Sequence, residues 1–417
     1  MPGNSVRKAA LVMLTWRSSI KGCWRALLWV GVGLRVDGAG AADSDQLSPL
    51  PASRPVFSVD YPYPTADKPQ SKLWHAVGTW WALLPRAAGP SLWERTAGGW
   101  REHKLVTDRL RGVPGRADVW ADREDVLAVT VADRLLAIVR LRYSNEQGGS
   151  WVPELAARLS APVSDSIETA TIARESDGRW WVAAPIAGRV FVWNSVDGVR
   201  WSEPELLASG LHVDDLCLVT QVAGFVAVVW SDQRADAVRL RYRRSNAGAP
   251  VWDPPETIEQ GGGTADDHLD AAVASDGTLW LATKNSVDEL ARPQLVLRVR
   301  DPVGGWHNYP YAPLSTNEAP SRPSVIATPR TGEVRLGHVV YAGKSRRDRI
   351  LFGRADTARP DLLVDARTVV APEDPGSRVN DITGPKAPFP ESGPWIILVS
   401  DAQGRVYEAD LCWEPGR

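Results

Sequence analysis

Apolar residues along the chain fall into short runs, each set off by turn-forming residues. One set of phrases couples a turn to an apolar strand: "VGTWWALLP", "SDGRWWVAAP", "AGFVAVVWS", "SDGTLWLATK", "TGEVRLGHVVY" and "SGPWIILVS". A second set is alternating and strand-like: "LLAIVRLRYS", "RVFVWNS", "VRLRYRRS" and "QLVLRVRD". Turns that contain glycine follow the second set, and a Trp then opens the next run. Those residues, Trp100, Trp151, Trp201, Trp252 and Trp306, recur at steps of 50 to 54. A unit of that length, read as strand, turn, strand, turn, strand, turn and Trp-strand, is one four-stranded propeller blade.

The first strand of each unit has its own mark, a polar or ionisable residue beside small ones. The sites are Lys72, Asp118, Glu168, Asp215, His268, Arg322 and the stretch 380–386, which includes Lys386. They define seven units. The seventh lacks a fourth strand of its own, and "SRPVFSVDY" (53–61) is the segment expected to supply it and close the ring. Closure removes the unpaired edges that an open sheet would expose. The fold expected is all-β: a single seven-bladed β-propeller over 56–417.

Composition sharpens this picture. The chain has 417 residues, 44% hydrophobic and 24% charged, with 20 Trp against 5 Phe, 35 Gly and 32 Pro. A Trp-rich and turn-rich chain of this kind reads as all-β. The formal net charge of −2 argues against nucleic acid or an anionic membrane surface as partner. Residues 1–41 read as a signal peptide: Arg17, Lys21 and Arg25 precede an apolar run, and Ala39-Gly40-Ala41 resembles a cleavage site. The run is too short to span a bilayer. Residues 42–55 read as an exposed leader. The expected location is therefore secreted or periplasmic. Beyond Cys23, only Cys217 and Cys412 remain, both in strand-like runs, and they are expected to be buried thiols outside any disulfide framework.

The Trp phrases resemble the Asp box of sialidase-type (BNR) propellers, Ser-x-Asp-x-Gly-x-x-Trp. Ser144, Gly148 and Trp151 keep that spacing, with Glu146 in the Asp place. Ser195, Asp197, Gly198 and Trp201 give a version one residue shorter, and Ser245 and Trp252 keep only its ends. The resemblance implies a fold and no activity. From Lys68 onward, "KPQSKLW", "RADVW", "VVWSDQ", "ADDHLDAAVASDGTLWLATK" and "RPSVIA" look like a family of secreted bacterial BNR-type propellers without an established activity. "DDH" before a strand also resembles BNR-type polysaccharide lyases such as ulvan lyases, in which an axial His acts in catalysis. The Arg-Ile-Pro motif, arginine triad and Tyr–Glu pair of true sialidases are not found, which argues against neuraminidase activity.

The first strand of a propeller blade lines the central channel, so seven polar strand starts gather at one place. Burying an unpaired charge there costs several kcal/mol, on the order of 3–5. The ring must therefore be hydrated, mutually paired or used. Used, it suits a poly- or oligosaccharide, including an acidic one. Arg322 and Lys72 would clamp a carboxylate or sulfate. Asp118 and Glu168 would form an acid–base pair for glycoside hydrolysis. His268 would take a proton beside a uronate carboxylate. Gln70, Asp215, Asp267, Lys284 and Lys386 complete the expected ligand-binding set. Asp214, Asp215, Asp266 and Asp267 alternatively suit Ca²⁺, although no resident metal is assigned and the cofactor is open. Three functions stay open: a carbohydrate-active enzyme, a glycan-binding module without catalysis, and a protein-interaction platform.

Overall fold

The computed structural model describes residues 52–413, apart from 148, 163–164, 223, 245–250 and 344–346. The expected signal peptide and most of the leader lie outside the described residues. Seven four-stranded antiparallel sheets follow one another along the chain. Six are built from consecutive strands. The seventh takes Val379–Thr383, Ile396–Asp401 and Arg405–Asp410 and adds Phe57–Ser58 as its fourth strand, pairing Phe57 with Val406 and Ser58 with Arg405. Closure is thus as expected, but its ladder is shorter than 53–61. Ser53, within the expected leader, makes an isolated parallel bridge to Pro372 instead. The fold is a seven-bladed β-propeller.

The Trp period now has a cause. Trp151 of blade 2 meets Trp81 of blade 1 edge to face, and Trp252 of blade 4 meets Trp181 of blade 3 in the same way. Trp100 of blade 1 stacks beside Phe57 and donates to Glu408, both in blade 7. Trp306 of blade 5 donates to Glu256 of blade 4. Trp201 of blade 3 packs into a cluster with Leu127 and Val129 of blade 2. Each periodic Trp therefore packs back onto the preceding blade, and one is needed per blade step. Large aromatics suit this place because they bury much area with few torsions to fix.

The turn before Trp201 is held by side chains. Ser195 Oγ accepts the Gly198 N–H at 2.9 Å, Asp197 Oδ1 accepts the N–H groups of Val199 and Arg200, and Trp201 Nε1 donates to Gly198 O. In blade 5, Asp301 Oδ1 collects the N–H groups of Val303, Gly304 and Gly305. Cys217 is buried as expected. Cys412 is not, for it lies exposed beyond the last strand.

The innermost strands are Leu73–Ala76, Arg116–Asp122, Thr171–Arg174, Cys217–Val222, Leu269–Val273, Glu318–Ala327 and Val379–Thr383. An innermost strand has a free edge whose N–H groups need acceptors. The chain provides these blade to blade. Thr383 Oγ1 accepts Lys72 N–H, Asp118 Oδ2 accepts Ile172 N–H, Thr171 Oγ1 accepts Val219 N–H and Asp270 Oδ2 accepts Val325 N–H, at 2.6–3.0 Å. At the joint between blades 1 and 2 the acceptor is a carbonyl, Ser71 O for Val119 N–H. Part of the polar marking of the strand starts is therefore masonry. We call the face where these strands begin the upper face, and the other the lower.

Candidate functional site

Two segments cross the axis. On the upper side the chain before blade 1 reaches over the ring. Asp67 accepts from Arg116 of blade 2 at 3.2 Å, Lys68 pairs with Asp267 of blade 5, and Gln70 Nε2 donates to Ala170 O before blade 3 at 2.9 Å. Further down, the chain after the innermost strand of blade 7 crosses at 384–388. There Lys386 donates to Asp118 and to Ile172 O, and Phe389 N–H bonds Ala327 O. Between them an axial cavity of about 360 Å³ remains. Lys68, Gln70, His268, Arg322, Asp381 and Lys386 give it polar walls, and Leu218, Val219, Ala272, Val325, Ile382 and Pro388 give it apolar ones. A small pocket of mixed lining is the usual form of a ligand site.

His268 is the centre of the polar wall. Its Nδ1 lies 2.5 Å from Asp266 Oδ1 and 2.6 Å from Asp267 Oδ1. Its Nε2 lies 2.9 Å from Arg322 Nη1. Arginine only donates, so Nε2 must be the acceptor and Nδ1 carries the proton. In this contact the Nε2 lone pair is aimed at a guanidinium. Asp266 is itself held by Lys284 Nζ at 2.6 Å and by Ser286 Oγ at 3.2 Å. Burial works against the charge of Asp267, but the His268 bond and the nearby Lys68 hold its carboxyl well below the usual range.

Arg322 reaches this position through an irregular backbone. The strand Glu318–Ala327 shifts register between Ser321 and Ser324, and Arg322 takes φ +51° there. A left-handed residue at a bulge turns its side chain away from the regular pleat. Its Nε donates to Tyr341 OH at 2.6 Å and its Nη1 to Asp381 Oδ1 at 3.2 Å. Tyr341 OH in turn donates to Asn380 Oδ1 at 3.0 Å. Burial opposes the charge of Arg322, yet Asp381 and Tyr341 raise its pKa above the ordinary value.

The expected residues, Glu168 apart, divide into three groups. His268, Asp267, Arg322 and Lys284 come together as one network of blades 5 to 7. Lys72, Gln70, Asp118 and Lys386 form a second set toward blades 1 to 3. Lys72 is wholly buried, donates to Gln70 Oε1 at 2.9 Å and to Ala117 O at 3.2 Å, and burial lowers its pKa. Asp118 is also wholly buried. It accepts the N–H groups of Ser71 and Ile172 beside the Lys386 ammonium, while burial pushes its carboxyl up. Glu168 stands exposed at the upper lip, where partial desolvation raises its pKa against the pull of Lys68. Asp118, sealed below it, does not face solvent with it as a pair. Asp215 forms the third group alone. It is turned into its own blade by Ser231 Oγ and the N–H groups of Gln233 and His212. The four aspartates suited to Ca²⁺ are consequently not gathered.

Ligand atoms of Asp266, Asp267 and His268 do lie within 4.8 Å of one another. Lys68, Lys284 and Arg322 occupy the same atoms or their neighbours, and three cations leave little reason for a fourth. Reasoning from sequence missed Lys68, Tyr341 and Asp381. The signal for Lys68 was its type: of eight lysines in the chain, Lys68, Lys72, Lys284 and Lys386 meet at the axis. Tyr341 carried no mark of period or spacing, and Asp381 lay within the marked stretch 380–386 without being singled out.

No protein-family model matches the chain. Among curated proteins it is similar to dihydroxy-acid dehydratases of Burkholderia mallei and Burkholderia pseudomallei, 32% identical over 126 residues, or 27% of this chain. The matched part is 22% of the length of those relatives. Among solved structures it is similar to the polysaccharide lyase Uly1, with a TM-score of 0.48 and 10% identity over 84% of this chain and 91% of that one. A Lactobacillus plantarum protein gives 0.47 and 15% over 74% and 87%. The α-L-arabinofuranosidase PaAbf62A of Podospora anserina, solved with cellotriose, gives 0.37 and 10% over 57% and 88%. Among the described residues no helix is long and apolar enough to cross a membrane.

Proposed function

We propose that the protein is an exported, carbohydrate-active propeller that takes an acidic saccharide at the axis and removes a proton from it through His268. The observation that carries this reading is the state of the imidazole. Its Nδ1 proton is fixed by Asp266 and Asp267, and its Nε2 lone pair faces a guanidinium that is strained into place. A uronate carboxylate that displaced Asp381 from Arg322 would bring its α-carbon toward Nε2. His268 would accept the α-proton, the electron pair would form the C4–C5 double bond, and the C4–O bond would break as the leaving oxygen takes a proton from water. Elimination is favoured over hydrolysis because Asp118, one half of the expected carboxyl pair, is committed to the ring itself.

One observation favours a second reading, binding without chemistry. Lys68, Asp267, His268, Arg322 and Asp381 already satisfy one another. A panel of acidic and neutral polysaccharides, tested with wild type and His268→Ala at recorded melting temperatures, separates the two. Unsaturated product, read by ultraviolet absorbance, is expected from wild type alone at matched stability. Binding without product, unchanged in the variant, would sink the enzyme reading and leave a binding module.

A further inference from the structure

The lower face carries a groove of about 420 Å³ that the chemistry above does not use. It is built by the ends of three successive innermost strands. Blade 2 gives Trp120 and Asp122, blade 3 gives Arg174 and Glu175, and blade 4 gives Gln221. At the same ends, blades 5 and 6 place only Val273 and Ala327.

Trp120 is unusual among the tryptophans. Most are packing residues, but Trp120 is half-buried and lines the axial cavity, the lower groove and a smaller pocket beside the 384–388 crossing. It packs against the cores between blades 2 and 3 and between blades 3 and 4, so its ring orientation is fixed. A fixed indole with an open face binds flat apolar surface at little entropic cost.

The charged groups around it sum to one negative charge, Asp122 and Glu175 against Arg174, which disfavours an acidic ligand. Arg174 Nη1 pairs with Asp122 Oδ2 at 2.6 Å, and its guanidinium lies over Trp180. Glu175 is 4% exposed. Its Oε2 accepts the Trp181 N–H at 3.0 Å, while Oε1 is buried without a hydrogen-bond partner. A buried carboxylate oxygen left open is costly unless something donates to it. Gln221 adds an amide that can donate and accept.

From this arrangement we infer that the lower groove is a second binding site, for a neutral saccharide whose ring lies on Trp120 and whose hydroxyl donates to Glu175 Oε1. The C–H face of a sugar suits the indole, and hydroxyl groups suit an acceptor beside an amide. A charged ligand would have to break the Arg174–Asp122 pair. The inference does not rest on proton transfer at His268: Trp120 and Gln221 also line the axial cavity, but neither has a part in that step, and Glu175 belongs to the lower groove alone.

Calorimetric titration of the full chain with cellotriose, xylotriose and mannotriose tests it, with melting temperatures alongside. At least one sugar is expected to bind. Trp120→Ala should weaken it by about tenfold or more and Glu175→Gln by roughly tenfold, with His268→Ala unchanged. Should Trp120→Ala fail to fold, Gln221→Ala is expected to weaken binding by about threefold in a stable protein. The inference is overturned if none of the three sugars binds wild type. It is overturned equally if binding survives Trp120→Ala and Gln221→Ala, or is lost only in His268→Ala, which would place the sugar above. Calcium binding abolished by Asp122→Asn, without sugar binding, would make the groove a cation site and also overturn it.

Discussion

The two halves of the upper ring use the same residue types for different ends. Toward blades 1 to 3, Asp118 and Thr171 spend their oxygens on backbone N–H groups of the next blade. Toward blades 5 to 7, Asp266, Asp267, His268, Arg322 and Asp381 mostly bind one another. A backbone N–H offers the ring no alternative partner, so a residue bound to it belongs to the frame. A side-chain pair can be opened and its members given to a ligand. What a polar group is bonded to, more than its type or burial, separates scaffold from site.

The strongest way to break this comparison is to remove Asp118. Asp118→Leu strands two backbone donors in a sealed place and takes the carboxylate from the Lys386 ammonium, and should cost on the order of 3–5 kcal/mol in urea unfolding. A loss below about 1 kcal/mol would mean that the stitch carries no weight.

Asp270 sharpens the comparison because it is a stitch within the other half. Burial pushes its carboxyl up to about 6, against the N–H groups of Val325 and Ala271. Its folded pKa lies above the unfolded value, so the native state holds the extra proton. The favourable term is complete below about pH 4 and fades as pH rises through 6. Relative to Asp270→Asn, the wild type should lose on the order of 2–3 kcal/mol between pH 4 and 7. The difference curve is the proper measurement, because His338 works in the opposite sense. Burial lowers its pKa to about 4, so its term is present above about pH 6.5 and fades toward pH 4. A flat difference curve would remove Asp270 from the frame.

The smallest effect is expected at the upper crossing. Lys68 and Asp267 are partly exposed, with side chains 12% and 27% accessible. Lys68→Met should change stability by less than about 1 kcal/mol, while the acidic-saccharide binding proposed for the axis should alter. A large loss of stability without any change in binding would class Lys68 with Asp118.

The ring, its seven units and its closure were legible because a blade repeats, and its Trp and turn residues repeat with it. Register among the polar strand starts also located His268 and Arg322. The division of labour was not legible. Asp118 and His268 look alike as marks at strand starts, and only the packing of the next blade decides which faces a donor. Tyr341 lies on a second strand, and Lys68 comes before the first, so neither shares the period. Arg322 reaches His268 through a bulge that its sequence, "SRPSVIA", signals only by a proline.

The fourth strand of blade 7 carries a consequence for how the protein is made. Phe57–Ser58 leaves the ribosome long before Arg405–Asp410, its partner. Until then a strand waits without a mate while the other blades assemble, and the edge of blade 7 is open to a neighbouring chain. Contacts so distant in sequence make closure slow. The meeting point tolerates little variation: a Cβ on Gly404, at φ +74°, would lie 2.0 Å from Val59 O. Removing Phe57–Ser58 or Arg405–Asp410 would leave the same unfinished blade, and crowded synthesis would show it as swapped or aggregated chains.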